Sequence, residues 1–487
     1  MTISFDPSRV ELPVGHWING EYVKGHEELE LRRPSDASPY TASPIASPEV
    51  VDQAVTAAKT ALRSSGWGSW RPRERASALH RLADLMEANS QRLGQLESIA
   101  STRPIGQSIS IDVAVTAEQI RFFAEFADKE GGDVVPTNGG HLGMILSEPY
   151  GVVGAITPWN VPLSMAGWKL GPILAAGNAI VIKPSELTPF STLYLAELAG
   201  KAGIPDGIVN VVLGDGATTG NSIVAHPDIA KISFTGSSIA GGAILKTIGS
   251  TQVKPMTLEL GGKSPQIVFA SADIRQAADC IAHSIKANAG QTCVAGSRVI
   301  VASKIFEQFV LALKDAMSSY EAGPTWDETT TYSPIISERQ LERIESIVGA
   351  AVAAGAECIQ GGKRLDREGY FYPPTILTAV DERSPAITAE IFGPVLTVQS
   401  FDDEEEAFAM SDHPYYGLAA GVFSTNLSQA LRAVSRVQAG TVWVNRYGRS
   451  RDHILPTGGY KGSGIGKDLG REAYKSNRRQ KSVLIQL

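Results

Sequence analysis

The sequence predicts an α/β protein built on two mainly parallel sheets. Three observations carry this. From about residue 150, short apolar runs alternate with helical patterns. The same alternation restarts after residue 263, as if a second sheet began there. The runs are apolar throughout rather than at every second position, as in strands covered by helices on both faces. A chain of 487 residues, 43% of them hydrophobic, has length for several domains and material for large cores.

The elements follow in order. WINGEYV is strand-like and leads into turns rich in Pro and Ser (PSDASPYTASPIASPE). Residues 49–64 predict a helix with Ala54, Val55, Ala58 and Leu62 on one face. Residues 72–100 predict another, with Leu79, Leu82, Leu85 and Met86 together, and 112–130 a third. The strands GVVGAITP, NAIVIKP, IVNVVL and KISFTG are then separated by helices at about 163–176, 189–202 and 216–225. The second series runs PQIVFA, a helix over 273–289, SRVIVAS and a helix over 303–319. The closing KSVLIQL reads as a strand without a local partner. Such a strand has to pair with a distant element or another subunit, which points to an oligomer.

Composition narrows the function. Lys and Arg number 44 against 51 Asp and Glu, a net charge of −7. Such a surface suits neither nucleic acid nor an anionic membrane. No apolar run approaches the roughly 18 residues of a membrane span, and the N-terminus lacks a basic segment followed by an apolar one. Three cysteines in so long a chain argue against a disulfide framework and for a reducing compartment, so a cytoplasmic protein is expected. The eight histidines are scattered, and HExxH and CxxC are both absent, so no metal is expected.

Several residues stand out chemically. Gly262-Lys263-Ser264 looks like the end of a phosphate-binding loop, but Thr257 occupies the place of the required first glycine. LGDGATTG sits between a strand and a helix, with Gly214, Gly216 and Gly220 one residue off the dinucleotide spacing; a plain tight turn explains it equally. Cys280 lies in a helical run and Cys358 in a strand-like piece, and both suit buried, inert thiols. Cys293, in NAGQTCVAGSR, has polar and small neighbours. It is either another inert thiol or a nucleophile whose pKa has been lowered. Glu259 interrupts the apolar run MTLELGG. It either faces solvent or an ion partner, or it is a desolvated general base. Asn160, in TPWNVPL, is flanked by Pro158 and Pro162. Its amide serves either the local turn or a developing oxyanion.

The motifs TPWN, KPSE, FTGSSIAG, ELGGKSP, GQTC, EIFGPV and GGYKGSG occur in the order and at roughly the spacings of the NAD(P)-dependent aldehyde dehydrogenase superfamily. From WINGEYV to the final strand, the chain resembles that family. The resemblance implies a Rossmann-like cofactor domain over 1–130 and 150–261 and a second α/β catalytic domain over 262–461. It also implies a small β oligomerisation element of bridging strands over 131–149 and 470–487, in a homodimer or homotetramer.

The resemblance further implies that Cys293 is the nucleophile, Asn160 the oxyanion donor and Glu259 the base that activates water. Cys293 attacks the aldehyde carbon, hydride passes to the nicotinamide, and the resulting thioester is hydrolysed to the acid. Lys169 and Asp468 join the catalytic set. Asp468 stands where many relatives carry the longer Glu of a proton relay. The implied cofactor contacts are Trp159, Lys183, Ser185, Glu186, Thr235, Gly236, Ser237, Leu260, Gln340, Glu390 and Phe392. The carboxylate of Glu186 disfavours a 2′-phosphate, so NAD is preferred, with NADP left open through Lys183. Val161, Met165, Trp168, Thr292, Val294 and Thr457 are implied to line the substrate pocket.

The segment Asn445–Gly458 is unusually charged for a substrate funnel. Arg446, Arg449, Arg451 and His453 either attract a substrate carboxylate or sit on a solvated subunit-contact loop, and loop charges are usually surface charges. Competing activities are a CoA-acylating semialdehyde dehydrogenase, a cysteine hydrolase without redox chemistry, and a family member that has lost catalysis. Glu259 argues against the first, the dinucleotide motifs against the second, and the retained Cys293, Glu259 and Asn160 against the third.

Overall fold

A computed structural model describes residues 2–25 and 27–487. Its first sheet has eight strands. Five are parallel neighbours: Val209–Val211, Ala179–Lys183, Val152–Ile156, Lys231–Thr235 and Met256–Glu259. The strands at positions 152–156, 179–183 and 231–235 are buried at every residue, which is why they read as unbroken apolar runs. WINGEYV forms the hairpin His16–Ile18/Glu21–Val23 at one edge. Gly464–Ile465 pairs antiparallel with Met256–Glu259 at the other.

The second sheet has seven strands, in the order Glu357–Gln360, Thr375–Thr378, Val395–Phe401, Arg298–Ala302, Pro265–Val268, Ala419–Phe423 and Thr441–Val444. Only Glu357–Gln360 runs antiparallel to its neighbour. The C-terminal strand Arg478–Gln486, expected to lack a local partner, pairs along its whole length with His141–Pro149 of the same chain. Asp133–Val135 completes this three-stranded sheet. Sequence distance, not absence, hid the partner.

The helices differ from expectation where single residues break them. The run expected as one helix over 72–100 is two, Pro72–Ala88 and Ser90–Ala100, because Asn89 leaves helical geometry (φ −110°, ψ 23°). The Asn89 amide caps the Leu85 carbonyl and accepts from the Tyr194 hydroxyl. The expected 216–225 helix starts as a wider π-type turn, Gly216–Gly220, before Asn221–Ala225. The helix expected to reach 289 ends at Lys286, since Asn288 and Ala289 adopt left-handed backbone (φ 50° and 49°). That early stop aims the following turn, with Cys293, at the edge of the first sheet.

Candidate active site

Cys293 stands on the turn between helix Ile274–Lys286 and strand Arg298–Ala302. Three consecutive left-handed residues, Asn288, Ala289 and Gly290, shape its approach. At Gly290 a Cβ would lie 2.1 Å from the Gly393 carbonyl oxygen, so only glycine lets GQTC pack against EIFGPV. Gln291, which is fully buried, pins the turn: its amide donates to Asn288 and Pro334 carbonyls and its oxygen accepts from Ile336 N–H.

Asn160 reaches this turn from the loop after strand Val152–Ile156. Its Nδ2 donates to the Gln291 carbonyl at 3.0 Å, and its own carbonyl accepts from Asn288 Nδ2 at 2.9 Å. One Nδ2–H of the buried amide therefore serves the turn and the second is free for a ligand. Glu259 ends strand Met256–Glu259. It is 5% exposed and its Oε1 has no hydrogen-bond partner, so it belongs to neither the exposed nor the ion-paired alternative. Burial raises its pKa well above the usual carboxylate range, and Asp468 adds to the rise. Gly458 makes the room, since a Cβ there would sit 2.7 Å from Glu259 Oε1.

The thiol overturns one expectation. Burial raises the Cys293 pKa instead of lowering it; Arg449 opposes the shift, while Glu390 and Glu259 reinforce it. The resting group at neutral pH is a thiol, and a base has to take its proton. Lys169 and Asp468 form a buried ion pair beside Glu259, so the shorter Asp468 does reach its cation. Thr457 and Asp468 exchange backbone hydrogen bonds (2.7 and 2.9 Å), which fixes that carboxylate.

The other expected contacts fall into groups. Lys183 ends strand Ala179–Lys183 and is buried, donating to the Gly214 carbonyl at 2.7 Å and to Glu186 Oε2 at 3.5 Å. The Ser185 hydroxyl accepts from Leu187 N–H, which shapes the KPSE turn. Thr235, Gly236 and Ser237 lead into helix Ser238–Ser250. Ser237 caps this helix through Ala240 N–H, while Thr235 Oγ1 is buried without a partner. Gly236 N–H donates to the Glu259 carbonyl, tying this turn to the end of strand Met256–Glu259. Trp159 and Phe392 meet edge to face, with ring centroids 5.2 Å apart. Gln340 spends its amide on the Ile391 and Phe392 carbonyls, so it holds the Phe392 turn. Glu390 accepts from Gly262 N–H, and burial raises its pKa to about 7. Leu260 is buried against Gly241.

Of the residues expected to line a substrate pocket, Met165 and Trp168 are buried on helix Pro162–Ala175, and Val161 is half-buried at its start. Glu97 positions that helix by accepting from Leu163 N–H at 3.0 Å. Thr292 and Val294 flank the thiol and are half-buried; Thr457 is buried. The charged loop is not simply solvated. Its Tyr447 donates to the Val294 carbonyl at 2.7 Å, beside Cys293, and the Arg449 guanidinium lies 4.6 Å over the Trp168 ring. Arg451 and His453 instead meet Glu118 of helix Ala114–Phe126 at 2.8 and 3.5 Å.

Gln291, Asn288, Gly458, Tyr447 and Glu97 were not singled out from the sequence. Only Gln291 had a signal there, as a member of the GQTC motif. Of the other cysteines, Cys280 packs half-buried against the core of the second sheet. Cys358, expected buried, is exposed, because Glu357–Gln360 is an edge strand. Among the described residues no cluster of three or more His, Cys, Asp or Glu could hold a metal, and no helix is long and apolar enough to cross a membrane.

A thiol, an amide and a desolvated carboxylate thus meet where the two large sheets abut. Residues 22–483 match the model of the aldehyde dehydrogenase family. The chain belongs to the aldehyde dehydrogenase family. It is an oxidoreductase acting on aldehydes, and it is 40% identical to an aldehyde dehydrogenase of Emericella nidulans, across 100% of this chain and 98% of the relative. Among solved structures, an indole-3-acetaldehyde dehydrogenase complexed with NAD+ matches at TM-score 0.96 and 36% identity, covering 99% of this chain and 98% of the other. The NAD+ complex of the aldehyde dehydrogenase from Bacillus cereus matches at TM-score 0.96 and 37% identity, with both chains covered completely at 100%.

Proposed function

We propose that this aldehyde dehydrogenase uses NAD to oxidise an aldehyde to the free carboxylic acid through a thioester on Cys293. The observation that carries the reading is the convergence of Cys293, Asn160 and Glu259, with both titratable groups pushed up by burial. A thiol and a carboxylate raised together can exchange a proton near neutrality, where an ordinary carboxylate is too weak a base.

Glu259 accepts the Cys293 proton, and the thiolate sulfur bonds to the aldehyde carbon. The C=O electron pair moves onto oxygen, where the free N–H of Asn160 and the Cys293 backbone N–H stabilise it. Bound NAD supplies the acceptor for the hydride lost from that carbon. Once Glu259 has released that first proton to solvent, it takes a proton from water, the hydroxide adds to the thioester carbon, and the C–S bond breaks to return the thiolate and the acid.

The residues present fit a dinucleotide. Glu186 is a half-exposed carboxylate held by Lys183, suited to ribose hydroxyls. Thr235 offers an orphaned hydroxyl ahead of a helix N-terminus, which favours phosphate charge. Glu186 in that place disfavours a 2′-phosphate, so NAD is the preferred cofactor. The unit built on the first sheet is assigned to the cofactor and the unit on the second to the cysteine. The exposed Val134, Leu146, Leu484 and Ile485 of the three-stranded sheet suit a contact with a second copy of the chain.

A panel of aldehydes with NAD or NADP, with and without CoA, followed by NADH absorbance, tests the reading. NADH without CoA and a higher kcat/KM with NAD are expected. Strict CoA dependence, or no NADH from any aldehyde, contradicts it.

A further inference from the structure

The substrate mouth carries an unpaired cation built into place. The Arg449 guanidinium lies over the Trp168 ring at 4.6 Å, close enough to Cys293 for its charge to oppose the rise of the thiol pKa. Its loop is rooted at the nucleophile by the Tyr447 hydroxyl on the Val294 carbonyl, and Gly448 (φ +95°) turns the chain between the two. The neighbouring charges are already spent. Glu118 takes Arg451 and His453, Asp468 takes Lys169, and Arg446 donates to the Gly448 carbonyl at 3.3 Å. Among the described residues no carboxylate pairs with Arg449. Glu259 makes no ion pair with Arg449, and burial raises its pKa well above the usual carboxylate range. The described residues therefore leave this guanidinium at the mouth without a paired carboxylate. Trp168 adds a buried indole N–H without an acceptor.

We propose that Arg449 is a specificity-determining residue that receives the carboxylate of a short aldehyde acid, a semialdehyde, while its aldehyde carbon meets Cys293. The assignment rests on the proposed aldehyde oxidation at Cys293. A guanidinium stacked on an indole face keeps its in-plane N–H groups free, the geometry that takes a carboxylate through two parallel hydrogen bonds. Because Arg449 follows within two residues of Tyr447, which is anchored on the Val294 carbonyl beside Cys293, only a few carbons separate the two ends of the substrate. Longer or neutral aldehydes leave the cation without a partner and gain nothing from it.

The test compares succinic semialdehyde with its neutral methyl ester and with butanal, using NAD and the whole enzyme, in wild type, Arg449→Gln and Arg449→Lys. The wild type is expected to prefer the acid over both neutral aldehydes in kcat/KM, mainly through KM. In Arg449→Gln that preference ratio falls ~10- to 100-fold, as for loss of a charge-assisted hydrogen bond. Arg449→Lys retains part of it, and high salt weakens the wild-type preference. A wild-type ratio near one, or a ratio that Arg449→Gln leaves unchanged, overturns the assignment while NADH formation from the neutral aldehydes keeps the oxidation reading intact. No NADH from any of the three removes both.

Discussion

Burial acts on Cys293 and Glu259 in the same direction, and the pH dependence follows from that. A raised thiol gains thiolate only as pH climbs, and a raised carboxylate becomes a base only above its elevated pKa. Both contributions have one sign, so kcat/KM rises with pH through neutrality, by about tenfold per unit on the limb of a single ionisation. A pH–rate profile checks this, and a maximum on the acid side contradicts it. Asn160 has one N–H on the Gln291 carbonyl and one free. Asn160→Ala should cost kcat about 10²- to 10³-fold, the usual cost of losing one oxyanion donor. Steady-state kinetics on a folded variant decides it. Cys293, Glu259 and Asn160 each stood out locally, as a thiol among small polar residues, a carboxylate in an apolar run and an amide between prolines, but the local reading left a bland alternative open for each and only the family resemblance assigned their roles. For Arg449 the sequence left a carboxylate-binding and a surface-loop role open and favoured the surface, since its place over Trp168 depends on how the loop folds back onto a distant helix.

At the scale of elements, the site depends on where helices stop. Helix Ile274–Lys286 ends early, and its left-handed exit delivers Cys293. The packing of Gly290 on the Gly393 carbonyl admits no side chain, and its φ of +70° is strained for any residue with a Cβ. Gly290→Ala should therefore lower the melting temperature, destabilising by about 1–3 kcal/mol, and reduce turnover together. Thermal denaturation alongside activity reads this out; an unchanged melting temperature speaks against the packing account. Periodicity located most helices and strands between residues 49 and 319, because buried faces impose it, and assigned none of those between 320 and 480 apart from the strand-like piece at Cys358. It missed the break at Asn89, where leucine spacing continues across two helices, and the exit at Asn288, where the stop depends on contacts with Asn160 and Gln291.

At the scale of the molecule, the reacting centre draws on both large sheets. Glu259 and Asn160 come from the first, Cys293 from the second, and Asp468 from the segment that returns from the second to the edge of the first. The pairing of Arg478–Gln486 with His141–Pro149 was unreadable locally because more than three hundred residues separate the strands. The joint of the sheets has one task in this account: to hold an acyl group on Cys293 until Glu259 activates water. Glu259→Gln keeps the volume of the side chain and removes the base, so hydrolysis should slow more than thioester formation. Intact-mass and peptide analysis of Glu259→Gln after mixing with NAD and an aldehyde, at a pH high enough to ionise the thiol, tests the claim most directly. An added acyl mass on the peptide bearing Cys293 is the predicted result. No adduct, an adduct on another residue, or full turnover by Cys293→Ala would contradict it.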